Sequence, residues 1–118
     1  MAIDSLTGLF NKTVPKKTLT VEFDQDQTAA VVLTPTSGKS IAVKGVYVGT
    51  ESTDGSVRLF FTDDEDDAEN TVFKAYGGDE NPGYVPMIIT GDKDATLKIT
   101  SDFGAGDNYF VLVNYDED

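Results

Sequence analysis

The side chains best suited to chemistry lie in one acidic run. Asp63, Glu65, Asp67 and Glu69 alternate within residues 63–69, a stretch that holds six of the chain's 21 acidic residues. Carboxylate oxygens at this density suit Ca²⁺ or Mg²⁺, hard cations that take oxygen ligands. The run departs from the EF-hand loop: its sixth position is Ala68 rather than Gly, and no helical pattern flanks it. A solvated connector between two strands accounts for the same residues. Asp24/Asp26 and Asp92/Asp94 have the character of turn residues. Gly38-Lys39-Ser40 matches the end of a phosphate-binding loop. The full signature needs a Gly at 33, where Leu stands, and a helix after it, where Ile41-Ala42-Val43 reads as strand.

Catalytic sets are missing for simple reasons. The chain has no His and no Cys, so a serine nucleophile lacks its imidazole base, and thiolate chemistry and disulfides are excluded. Two carboxylates can hydrolyse a glycoside, but nothing distinguishes one pair among 21 scattered acids. The expectation is a protein that is not an enzyme and that needs no cofactor beyond a cation at 63–69.

Charge narrows the partners. Nine basic residues against 21 acidic ones give a net charge of −12, which repels phosphate and argues against direct nucleic-acid binding. Such a surface suits high salt, where repulsion is screened within about 3 Å at 1 M; an ordinary acidic protein satisfies the same numbers. The charge is uneven. Residues 1–17 carry Lys12, Lys16 and Lys17 against Asp4 alone, a net of 3 − 1 = +2. The start, Met1-Ala2-Ile3-Asp4-Ser5-Leu6, lacks the basic and apolar regions of a signal peptide, and no apolar run approaches the ~20 residues of a membrane span. Synthesis in the cytoplasm, with no membrane partner, is the corresponding expectation.

These residues must be held by strands. From Thr18 the apolar period is two: Leu19, Val21 and Phe23, then Ala29, Val31 and Leu33. In the third segment, Ile41 and Val43 fall out of phase with Val46 and Val48, and a bulge at Lys44-Gly45 restores the phase. Further strands are expected over Val57–Phe61, Thr71–Tyr76, Tyr84–Thr90, Ala95–Thr100 and Asn108–Tyr115. About eight antiparallel strands without an internal helix predict an all-β fold, a jelly-roll-like β-sandwich over residues 18–118, with residues 1–17 as a short N-terminal arm.

Two strands are apolar on both faces. Phe60 opposes the Val57, Leu59 and Phe61 face, and Phe110 with Leu112 opposes the Tyr109, Val111 and Val113 face. Such strands are either covered on both sides or meet another subunit. The favoured expectation is an interface formed by Phe60, Phe110 and Leu112, joined by Leu6, Leu9 and Phe10 of the arm. The arm residues can equally plug one end of their own core. Tyr84, beside a Gly-Pro-rich loop, is the aromatic side chain best placed to touch a ligand.

The segments Val43-Lys44-Gly45-Val46-Tyr47-Val48, Gly55-Ser56-Val57-Arg58-Leu59-Phe60-Phe61, Leu97-Lys98-Ile99-Thr100 and Phe110-Val111-Leu112-Val113-Asn114-Tyr115 follow one another in an order that resembles small all-β structural proteins of tailed viruses. The resemblance implies a homo-oligomer attached to a virion, as a capsid decoration, turret, head fibre or tail component, in contact with other capsid or tail proteins. The acidity would suit a halophilic host. The 63–69 loop is a departure from that pattern. A carbohydrate- or calcium-binding module using the loops around 63–69 and 77–84 is the alternative.

Overall fold

The computed structural model describes residues 17–62, 69–78, 83–104 and 108–118. They form eight strands: β1 (Lys17–Phe23), β2 (Ala30–Leu33), β3 (Ile41–Thr50), β4 (Ser56–Thr62), β5 (Glu69–Tyr76), β6 (Val85–Thr90), β7 (Thr96–Ser101) and β8 (Tyr109–Glu117). One sheet orders them β1-β8-β3-β6 and the other β2-β7-β4-β5, with every ladder antiparallel. The first half of the chain pairs with the second half in reverse: β1 with β8, β2 with β7, β3 with β6, β4 with β5. Rolling that ribbon brings β8 against β3 and β7 against β4. This is a jelly roll, and the expected eight-stranded β-sandwich is the fold observed.

Lys17, expected within the arm, belongs to a strand. Lys17 is the first residue of β1, opposite Tyr115 and 3.7 Å from the Glu117 carboxylate. Residues 1–16, with Leu6, Leu9 and Phe10, lie outside the described part.

Alternation along each strand builds the core. Val57, Leu59 and Phe61 of β4 face Ser101, Ile99 and Leu97 of β7, and across the sandwich lie Val46, Val48, Val111 and Val113. Fully burying each large apolar side chain contributes about 1.5–3 kcal/mol. The phase change in β3 is a bulge: against β8 the register shifts between Val43 and Gly45, leaving Lys44 as the extra residue, while against β6 the shift at the same place leaves the extra residue on β6. Ile41 and Val43 thereby stay in the same core as Val46 and Val48.

Phe60 differs from expectation. It points away from the core, opposite Lys98 and Thr71, yet it has no exposed area. The Arg58 guanidinium carbon stands 4.4 Å from its ring centre, in cation–π geometry. A side chain already covered within one chain has no free surface for a subunit contact.

Carboxylates hold the ends of the sandwich. At one end Asp26 accepts hydrogen bonds from the Phe103 and Gly104 amides at 2.8 and 3.0 Å, and Asp102 accepts one from the Ser56 amide at 2.6 Å. At the other end Asp94 accepts from the Gly38 amide at 2.6 Å, and Glu117 accepts from the Thr36 amide and hydroxyl. Those two bonds from Thr36 hold the Glu117 carboxyl below the usual carboxylate range, with the Lys17 charge assisting. Charge-assisted bonds of this kind are the stronger class, so part of the acid excess is structural.

Tyr109 closes the core beneath the first of these ends. Its ring stacks on Phe23 at 5.1 Å and meets the Phe103 edge at 5.0 Å, and its hydroxyl lies 2.7 Å from Ser101 Oγ. Burial raises its phenol above the ordinary value of 10.0, the Ser101 bond lowers it, and the Asp26 charge raises it again. The neutral form is therefore the folded form. Its contribution to stability is fully present below the ordinary tyrosine value and is lost as pH rises through the raised folded one. The difference in urea unfolding free energy between wild type and Tyr109→Phe is expected to hold constant up to about pH 10 and to fall above it. A difference that grows with alkalinity would contradict this assignment.

Candidate interaction face

The outer face of the β1-β8-β3-β6 sheet is laid out in rows. Glu22, Phe110 and Gly49 lie side by side across β1, β8 and β3. Thr20, Leu112 and Tyr47 form the next row, and Thr18, Asn114 and Gly45 the third. Pro86, opposite Gly45, and Ile88 continue the face onto β6.

Two glycines shape this surface by close approach, not by unusual backbone angles. The Phe110 ring lies over Gly49 and the Tyr84 ring over Gly45, so that a methyl group at either position would overlap the ring. With the rings laid on bare backbone, the face carries a belt of Phe110, Tyr47, Leu112, Tyr84, Pro86 and Ile88. The Tyr47 and Phe110 centroids are 5.5 Å apart at 43°. Tyr84 is 47% exposed and Ile88 72% exposed, while Tyr47, Phe110 and Leu112 are half-buried.

A polar chain fixes the belt's middle. Thr18 Oγ1 donates to Asn114 Oδ1 at 2.8 Å, and Asn114 Nδ2 donates to the Tyr84 hydroxyl at 2.9 Å. Tyr84, singled out for ligand contact, is thus part of the wall, with its hydroxyl tied to β8. Pro86 lacks an N–H on the edge strand β6, a feature that works against open-ended strand addition there.

At the Glu22 end the belt opens into a groove of about 400 Å³ lined by Glu22, Tyr47, Gly49, Thr50, Glu51 and Asn108 with Tyr109 and Phe110. It combines an aromatic floor, its two rings tilted 43° to each other, with carboxylate and amide groups at the edge. No local pattern points to it, because Glu22, Glu51 and Asn108 come from three separate segments that only the β1-β8-β3 register brings together.

Of the residues expected to matter, Phe110 and Leu112 lie on this face together. Phe60 belongs to the opposite sheet and is buried. Asp63, Glu65 and Asp67 fall outside the described residues, and Glu69 is described only as the backbone start of β5. Among the described residues no group of three or more acidic side chains is arranged to hold a metal ion.

No protein-family model matches the chain, and no curated protein matches it. Among solved structures, it is similar to the Drosophila NLP core, described for pentamer formation and histone binding, at 12% identity over 86% of this chain and 99% of that one, with a TM-score of 0.47. It is similar to the nucleoplasmin-like N-terminal domain of Drosophila FKBP39 at 17% identity over 86% and 88% of the two chains, with a TM-score of 0.44. It is also similar to the Eiger TNF of S. frugiperda at 11% identity over 86% and 88%, with a TM-score of 0.38. The likeness is confined to the broad all-β sandwich architecture.

Proposed function

We propose that this chain is a non-enzymatic structural subunit of a virion, a capsid decoration, turret or tail component that self-associates through the outer face of the β1-β8-β3-β6 sheet. The observation that carries this reading is the aromatic and aliphatic belt on that face, flattened by Gly45 and Gly49 and reaching the 72%-exposed Ile88. Contiguous exposed apolar surface of this kind marks interaction sites. Phe110 and Leu112 lie on β8, an interior strand of the sheet, where a flat partner surface can approach without rearranging the fold. The jelly roll is a framework used by viral capsid domains among others, and the absence of His and Cys from the sequence fits an assembly part.

The acidic ends and loops would then face solvent, keeping assembled copies soluble, as suits a halophilic host. Quantitative mass spectrometry of purified virions tests the virion assignment. The chain is expected at a fixed ratio to the major capsid protein that survives washing in high salt. Its absence from washed particles would overturn the assignment while leaving self-association to be judged separately.

A further inference from the structure

We propose that the groove between Glu22, Glu51 and the Tyr47–Phe110 pair is a binding site for an arginine side chain presented by a partner polypeptide. Tyr47 and Phe110 belong to the apolar belt as well, so an arginine seated here and a second copy of this chain contend for the same two rings.

Three features point to a cation. First, the groove presents two carboxylates, Glu22 and Glu51, and among the described residues no basic side chain lines it. Asp26, Asp94, Asp102 and Glu117 use their carboxylates to clamp backbone amides. Neither Glu22 nor Glu51 has a side-chain hydrogen bond or ion pair among the described residues.

Second, aromatic rings of this molecule repeatedly carry a cation. Arg58 stands over Phe60, Lys74 over Tyr76 at 5.3 Å and Lys17 near Tyr115 at 6.0 Å. The Tyr47–Phe110 pair carries none among the described residues, although it is half-exposed and tilted into an open notch. A cation seated there gains attraction from the ring faces and from the carboxylates together.

Third, the shape favours a planar guanidinium over an ammonium. The Phe110 ring is laid flat by Gly49, which gives a stacking floor. Glu22 stands directly across from Phe110 in the β1–β8 register, and Glu51 follows the end of β3 on the other side. Guanidinium stacks on aromatic faces and forks its N–H donors toward carboxylates, whereas ammonium is a compact and strongly hydrated point charge. Asn108, at the mouth of the groove, adds a side-chain amide whose oxygen can accept a further N–H.

The test uses the full chain, diluted until light scattering shows the monomer so that the rings are open, and an acetylated, amidated Gly-Arg-Gly tripeptide, with the neutral citrulline isostere as control, followed by amide chemical shifts. Saturable shifts at Glu22, Gly49, Glu51 and Phe110 are expected with the arginine peptide and not with citrulline. The Glu22→Gln/Glu51→Gln variant is expected to keep the wild-type spectrum elsewhere and to bind at least about tenfold more weakly. The arginine peptide should also bind more tightly than its lysine counterpart. Equal shifts with citrulline, no saturable shifts at these amides, or unchanged affinity in the double variant would each overturn the proposal.

Discussion

Leu112→Asp is expected to dissociate the oligomer while leaving the jelly roll folded. Leu112 lies between Thr20 and Tyr47 in the middle of the apolar belt. An aspartate there must either stay hydrated, which prevents close contact, or be buried without a partner, which costs several kcal/mol. A central apolar contact of this type contributes about 2 kcal/mol or more to an interface, so the dissociation constant should rise by about 30-fold or more. In the isolated chain Leu112 is half-buried on the outer face, and unfolding free energy should change by no more than about 1 kcal/mol. Val31→Asp is the matched control. Val31 is 57% exposed on the outer face of the opposite sheet, opposite Lys98, and its replacement should leave assembly unchanged. Sedimentation equilibrium of the two variants separates loss of the face from a general effect of added charge.

Gly49→Val carries the second large effect, and its direction opposes strand propensity. Valine is favoured in strands and glycine weakens them, so propensity alone predicts a stabilising change at this paired position near the end of β3. The Phe110 ring occupies the space that the valine Cβ would need. Displacing it costs about 1–3 kcal/mol of overpacking and tips an aromatic ring out of the face, so assembly is lost with it. The clash belongs to the pair, so Gly49→Val/Phe110→Ala should recover stability relative to Gly49→Val alone, a coupling that a double-mutant cycle reads directly. A Gly49→Val protein as stable and as oligomeric as wild type would show that the ring does not depend on the bare backbone beneath it.

The residues that announced themselves in the sequence did so through local patterns. Period-two alternation marked β1, β3, β4, β7 and β8, and the phase slip from Val43 to Val46 located the β3 bulge because inserting a single residue inverts every later side chain; in β2 it picked the wrong face, since Val31 is 57% exposed while Ala30 and Val32 pack on the core. The two faces of β8 followed from the same alternation. What stayed hidden depends on partners far along the chain. Asp26 and Phe103 are 77 residues apart, Thr36 and Glu117 are 81 apart, and no local pattern predicts that these carboxylates clamp those loops. Phe60 and Phe110 look alike in sequence, each an aromatic residue on the outward face of an apolar strand. Phe60 is covered, with Arg58 of the same strand over its ring, while Phe110 is half-buried over Gly49 of the neighbouring strand. Gly49 drew no attention as a single glycine in a strand, because its role is set by the ring that crosses it from β8.

The central claim is that the outer face of the β1-β8-β3-β6 sheet joins copies of this chain. Light-scattering mass of the purified protein in 0.1 M and 3 M salt tests it most directly. The account predicts a defined multiple of the 12.7 kDa chain, more fully populated at 3 M salt, where repulsion among the surface acids is screened. A 12.7 kDa monomer at both salt concentrations would contradict it.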